Sequence, residues 1–109
     1  MQISVHVNEA DLGESLRSYL ERRLRFALVR FRDRVGMVTV RTSTEVRGKA
    51  RCRIFAEMLP FGRVIAEETG HDLFSAVDRA TAMIGRRVGR ELDRARDPRF
   101  GRESVRLAA

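Results

Sequence analysis

Ala66-Glu67-Glu68-Thr69-Gly70-His71-Asp72-Leu73-Phe74-Ser75-Ala76-Val77-Asp78 is the stretch that decides the fold. Up to Thr69 it continues a run that starts at Arg63 and sets Val64 and Ala66 on one side, the period of a half-buried strand. Gly70 interrupts the run. Asp72 stands where a helix N-cap belongs, because its short carboxylate accepts from the free N–H groups of a first helical turn. From Leu73 the period changes: Leu73, Val77, Ala80, Ile84, Val88 and Leu92 trace one helical stripe. The spacing predicts a helix to about Arg96, stopped by Asp97-Pro98, since proline lacks an N–H and disfavours helix at the residue before it.

Upstream, Leu59-Pro60-Phe61-Gly62 is a turn. Before it, Ala50, Cys52, Ile54, Ala56 and Met58 alternate with Arg51, Arg53, Phe55 and Glu57, a strand with one buried face. Residues 45–48 make a hairpin loop, and Met37–Thr44 puts Val38, Val40 and Thr42 on one face. Leu16, Leu20, Leu24, Ala27, Leu28 and Phe31 recur at helical spacing and predict a helix from about Leu12 to Phe31. Asp11 with Glu14 resembles a capping box at its start. Residues 2–7 set Ile3, Val5 and Val7 against Gln2, Ser4 and His6, a first strand. The order is β-α-β-β-β-α. Each helix has one apolar stripe, so both belong on one face of a four-stranded, mostly antiparallel sheet, with the other face in water. The fold class is α+β, a two-layer sandwich. Residues 1–96 form the domain and 97–109 a short, basic, flexible tail.

The chain has 109 residues, enough for one domain and one core. No apolar run is long enough to span a bilayer, and the alternating N-terminus lacks the order of a signal peptide. One cysteine, Cys52, excludes an intrachain disulfide. These features point to the cytoplasm. His6 and His71 lie in different elements from each other and from Cys52, so no metal-site spacing exists and none is expected. Glu67 and Glu68 are neighbours on a strand and face opposite ways, which rules them out as an acid–base pair. No nucleophile, phosphate-loop or metalloprotease motif occurs. The chain reads as a non-enzyme without cofactor, metal or small-molecule substrate. Cys52 falls on a buried face and reads as inert core. Gly85 and Gly89 lie four apart on the second helix, suited to close approach by another helix or by RNA backbone.

Charge supplies the positive signal. The formal net charge is +7 and the pI about 11.2. Lys49 is the only lysine among 22 basic residues; the rest are Arg, whose planar fork matches phosphate. That balance is the electrostatic footprint of a nucleic-acid binder. On the second helix Arg79, Arg86 and Arg90 fall within about 40° of one another, with Arg87 and Arg94 beside them, opposite the core stripe. From Arg79 to Arg96 only Glu91 and Asp93 stand against them. Like charges at Arg86-Arg90 and Arg90-Arg94 destabilise an isolated helix by about 0.2–0.5 kcal/mol each, a cost that a bound polyanion would offset. On the first helix Arg23 and Arg30 share a line, and Arg22 and Arg25 lie on other exposed sides. Helices packed side by side would let these bands border a common groove. Tyr19 and Phe26 flank the Arg23/Arg30 line and read as padding of the helix–helix seam. The open sheet face adds Arg41, Arg51 and Arg53, with Phe55 on the same side. An aromatic among arginines can stack a base, but a lone exposed Phe on a strand is more often packing or a partner contact.

The motif Ala66-Glu67-Glu68-x-Gly70-x-Asp72-Leu73-Phe74-x-Ala76-Val77-Asp78 resembles the strand–turn–helix signature of the ribosome hibernation-promoting factors, also called ribosome-associated inhibitors. Leu16-Arg17, Arg23-Leu24 and Asp33-Arg34-Val35 look similar as well, and the likeness covers roughly residues 1–96. The resemblance implies a β-α-β-β-β-α fold. It also implies binding to the small ribosomal subunit, in the channel used by mRNA and tRNA, with silencing of idle ribosomes under stress and in stationary phase. Basic residues of both helices would face rRNA. By position Arg86 and Arg90 match the family's basic sites on the second helix and Arg23 one on the first, while Met83 replaces a frequent Lys. The resemblance further implies a short form without the C-terminal dimerisation domain of long members. The expected RNA-binding set is therefore Arg22, Arg23, Arg25, Arg30, Arg79, Arg86, Arg87, Arg90 and Arg94, with no membrane or small-molecule partner. Two other readings compete: a double-stranded-RNA-binding module with the same layout, and a protein-interaction module whose charge serves solubility.

Overall fold

The computed structural model describes residues 1–6, 13–45 and 47–96. Four strands, β1 (Gln2–His6), β2 (Val35–Thr44), β3 (Ala50–Met58) and β4 (Arg63–Gly70), form one sheet in the order β1-β2-β3-β4. Helices α1 (Gly13–Leu28) and α2 (Leu73–Arg96) cover one face. β1 pairs with β2 in parallel, whereas β2–β3 and β3–β4 are antiparallel hairpin pairs. The parallel pairing follows from the helical crossover between β1 and β2, since a tight turn joins only antiparallel neighbours. The expected α+β two-layer sandwich is thus the observed fold. Val7, Asp11 and the tail 97–109 lie outside the described residues, so the proposed capping box and the tail do too.

The core is the meeting of period two with period 3.6. Val38, Val40, Ala50, Cys52, Ile54, Ala56, Met58, Val64 and Ala66 line the inner sheet face. Leu16, Leu20, Leu24 and Leu28 meet them from α1, and Leu73, Val77, Ala80, Ile84, Val88 and Leu92 from α2. Each fully buried Leu, Ile or Val contributes about 1.5–3 kcal/mol relative to exposure. Asp72 caps α2 as expected, its Oδ1 accepting from Ser75 N–H at 2.7 Å.

The first helix ends differently from expectation. α1 stops at Leu28 and tightens into a 3₁₀ turn, Val29–Arg34, which runs straight into β2. Two reciprocal hydrogen bonds fix this junction to the β3–β4 turn: Leu59 N–H donates to Arg34 O at 2.7 Å, and Arg34 Nε donates to Leu59 O at 3.1 Å. A tertiary clamp, rather than a local stop signal, holds the end of the 3₁₀ segment where it enters β2. The β2 strand begins two residues earlier than its alternation predicts and carries an irregularity between Val35 and Val38.

Cys52 is fully buried, and desolvation pushes its thiol up to about 12. The fold therefore holds the neutral thiol past the ordinary thiol range, and the stability this carries is full below that range and lost as the pH rises from it toward the folded value. Folded protein at pH 8 should leave Cys52 unmodified by a thiolate-directed reagent, with full reaction after unfolding in denaturant. Rapid labelling of the folded chain would contradict its placement in the core.

Candidate nucleic-acid interface

The two helices meet along a seam of small residues. A Cβ on Gly85 would lie 3.3 Å from Ala27 Cβ and from Ala27 O, and one on Gly89 would lie 3.2 Å from the Phe31 ring. The two glycines therefore serve close approach between α2 and α1 with its 3₁₀ extension. Farther along the seam Tyr19 packs edge-on against Phe74, with ring centroids 5.3 Å apart, and donates its hydroxyl to Asp78. That hydrogen bond to a carboxylate raises the Tyr19 pKa above its ordinary value.

Small residues at the seam leave a groove above it. Its floor is Ala27, Ala82 and Gly85, and Arg23, Arg30 and Arg86 stand around it, enclosing about 280 Å³. The prediction that the two arginine bands border a common groove is met by these three residues. Arg86 also joins Arg79, Glu68 and Asp78 around an adjoining recess of about 370 Å³. Arg79 and Arg90 lie exposed on the same outward side of α2 as Arg86.

The remaining predicted arginines are placed less uniformly. Arg23 is held by Asp78, Nε to Oδ1 3.4 Å, so half of its fork is engaged within the protein. Arg30 lies over the Phe31 ring at 5.2 Å while still lining the groove. Arg87 reaches sideways, and its Nη1 donates to Ile65 O of β4 at 2.6 Å. Arg94 sits 3.9 Å from Glu91, one turn away. Arg22 is exposed on the outer surface of α1. Arg25 is exposed too, but about 160° around the helix from the line of Tyr19, Arg23 and Ala27 that faces α2. Among the described residues, Arg22, Arg25, Arg79, Arg86 and Arg90 have no acidic partner within ion-pair distance.

The open sheet face behaves otherwise. Arg53 pairs with Glu67 at 2.6 Å, and Arg51 with Glu45 at 2.6 Å and Glu67 at 3.4 Å. The Phe55 ring already has the guanidinium groups of Arg53 and Arg63 against it at 5.6 and 5.7 Å. Arg51 and Arg53 are thus compensated and the aromatic is occupied, in line with a packing role for Phe55. Glu68 faces the helix layer and Glu67 the open side, as alternation requires.

Phe26 differs from the sequence reading. It does not pad the seam; it is 83% exposed and stands at the lip of the groove. The helical wheel carries the signal for this, because Phe26 lies about 140° from the centre of the Leu16–Leu28 stripe. Among the described residues, no three His, Cys, Asp or Glu side chains gather as a metal site, and no helix is long and apolar enough to cross a membrane.

Comparison with known proteins bears on this arrangement. The N-terminal domain of Protein Y from Thermus thermophilus, a crystal structure, superposes with a TM-score of 0.69 at 33% identity, covering 83% of this chain and 98% of that one. A putative lipoprotein from Caulobacter crescentus aligns only at TM-score 0.32 and 15% identity, covering 83% of this chain and 86% of that one. Comparison with curated proteins gives no match. The family model described as sigma 54 modulation protein / S30EA ribosomal protein matches residues 3–96, from β1 to the last turn of α2. Every element that builds the groove falls within that match, and the chain belongs to this family of ribosome-associated factors.

Proposed function

We propose that this protein is a hibernation factor that binds the small ribosomal subunit through the α1/α2 groove, occupies the channel used by mRNA and tRNA, and so silences idle ribosomes. It works in the cytoplasm by occupancy, without making or breaking bonds. The observation that carries the reading is the convergence of Arg23, Arg30 and Arg86 on one groove, with Arg79 and Arg90 beside it and unpaired among the described residues. Guanidinium groups without acidic partners are available to phosphate and release its counterions on binding. Family membership and the likeness to a Protein Y domain support the ribosome as the source of that phosphate. A folded-RNA channel is recognised by shape and backbone more than by sequence, which suits a rigid two-helix surface.

Sedimentation with purified small subunits at two salt concentrations tests the reading. About five phosphate contacts should weaken binding about 100- to 500-fold between 50 and 200 mM salt. Binding that ignores salt would favour the protein-interaction reading. Equal affinity for a plain RNA duplex would favour the double-stranded-RNA reading.

A further inference from the structure

We infer that Phe26 is a stacking platform for an unpaired RNA base, seated in the groove while Arg23, Arg30 and Arg86 hold the flanking phosphates. The inference rests on the proposed binding face and adds to it the kind of RNA that the face takes. Three observations carry it. First, Phe26 is 83% exposed although it belongs to a well-packed helix, so its ring gains nothing from the core. Second, both ring faces are open. Phe55 and Phe31 have guanidinium groups against them and Tyr19 has Phe74, whereas no ring or cation lies over Phe26 among the described residues. Third, the space beside it is lined for an anionic ligand. Ala27, Ala82 and Gly85 keep the floor low, and the three arginines surround about 280 Å³.

An exposed aromatic inside a cationic groove is the arrangement that binds single-stranded nucleic acid: arginines follow the backbone while a base covers the ring. A base paired inside a duplex cannot reach such a ring, because its faces are already stacked. The groove therefore discriminates in favour of loops, bulges and single strands. Phe61, at 80% exposure on the β3–β4 turn, has an open ring as well but does not line the groove. An acidic peptide would use the arginines but would leave the ring bare.

The test compares wild type, Phe26→Ala and Phe26→Trp on three probes: a single-stranded RNA oligomer, the same oligomer with abasic sites, and a blunt RNA duplex. Phe26→Ala should weaken binding to the intact oligomer about 5- to 150-fold, the range for loss of one stacked base. Its salt slope should stay at the wild-type value, since no phosphate contact is removed. Phe26→Trp should restore affinity, and the abasic oligomer and the duplex should not distinguish the three proteins. Thermal unfolding should be unchanged, because the side chain is outside the core. Equal affinity of wild type and Phe26→Ala for the intact oligomer would overturn the inference. So would tighter binding of poly-glutamate than of RNA, which would make the groove a protein-docking surface. If wild type failed to sediment with small subunits while Phe26→Ala still lost oligomer affinity, the ribosomal reading would fall and the stacking platform would stand.

Discussion

Replacing Arg86 and Arg90 together by Glu should release the protein from small ribosomal subunits while leaving it folded. Both side chains are exposed and, among the described residues, have no partner, so their loss removes no internal contact. Surface changes of this kind stay within about 0.5 kcal/mol of neutral. The binding effect is much larger. Two lost phosphate contacts at about 0.1 M salt forgo counterion release equivalent to about 25- to 60-fold in affinity, and the new carboxylates add repulsion. The slope of log affinity against log salt should fall by about one for each contact. Net charge alone would predict the same loss from any pair of reversals. Arg41→Glu with Arg47→Glu is the control, because Arg41 lies on the open sheet face and Arg47 in the β2–β3 turn, and both are exposed. That pair should retain most of the binding. Unchanged co-sedimentation of folded Arg86→Glu/Arg90→Glu, or equal loss in the control, would exclude the α1/α2 groove as the contact.

The second large effect is on stability. A Cβ placed on Gly70 would lie 2.7 Å from Ala76 N, 2.9 Å from Ser75 Oγ and 3.0 Å from Ser75 C. Two of these are backbone atoms of the first turn of α2, which cannot move without shifting the helix from the sheet. Gly70 also closes the β3–β4 ladder opposite Ala50, so the strand cannot yield cheaply either. Gly70→Ala should cost about 3 kcal/mol, the upper end of ordinary overpacking. In a domain of this size that lowers Tm by about 10–20 °C. Gly13→Ala is the contrast: nothing lies within 4 Å of its added Cβ, at the start of α1. It should be neutral or stabilise by up to about 1 kcal/mol, since alanine restricts the unfolded chain and favours helix. A thermal melt of both variants decides the matter; an unshifted Gly70→Ala would remove the steric account of this glycine.

Much of the fold was legible because its signals are local. The Gly70-His71-Asp72 turn, the cap and the Leu73–Leu92 stripe specify where β4 ends and how α2 sits, and the alternation of β3 specifies its buried face. What the sequence left open depends on partners far along the chain. Arg30-Phe31-Arg32-Asp33-Arg34 has no Gly or Pro to end a helix, and the 3₁₀ segment it forms is held at Arg34 by Leu59. A period of two identifies β1 but carries no direction, so its parallel pairing with β2 follows only from the crossover. The roles of Gly85 and Gly89 became definite only with Ala27 and Phe31 against them. The arginine set was legible as a band of charge, but not in its divisions. Arg23 and Asp78 are far apart in sequence, as are Arg87 and Ile65, so the wheel could not separate tethered guanidinium groups from free ones.

The Arg87–Ile65 bond has a consequence for the margin of the sheet. β4 is an outermost strand, and outermost strands present backbone groups that invite a foreign chain to add itself. Ile65 is also one of the larger apolar side chains left in water. With its carbonyl already engaged by a charged donor from α2, a second molecule must first displace that arginine before it can zip alongside. A residue that sequence counts toward RNA binding thus acts, where it stands, as a latch against strand-to-strand self-association.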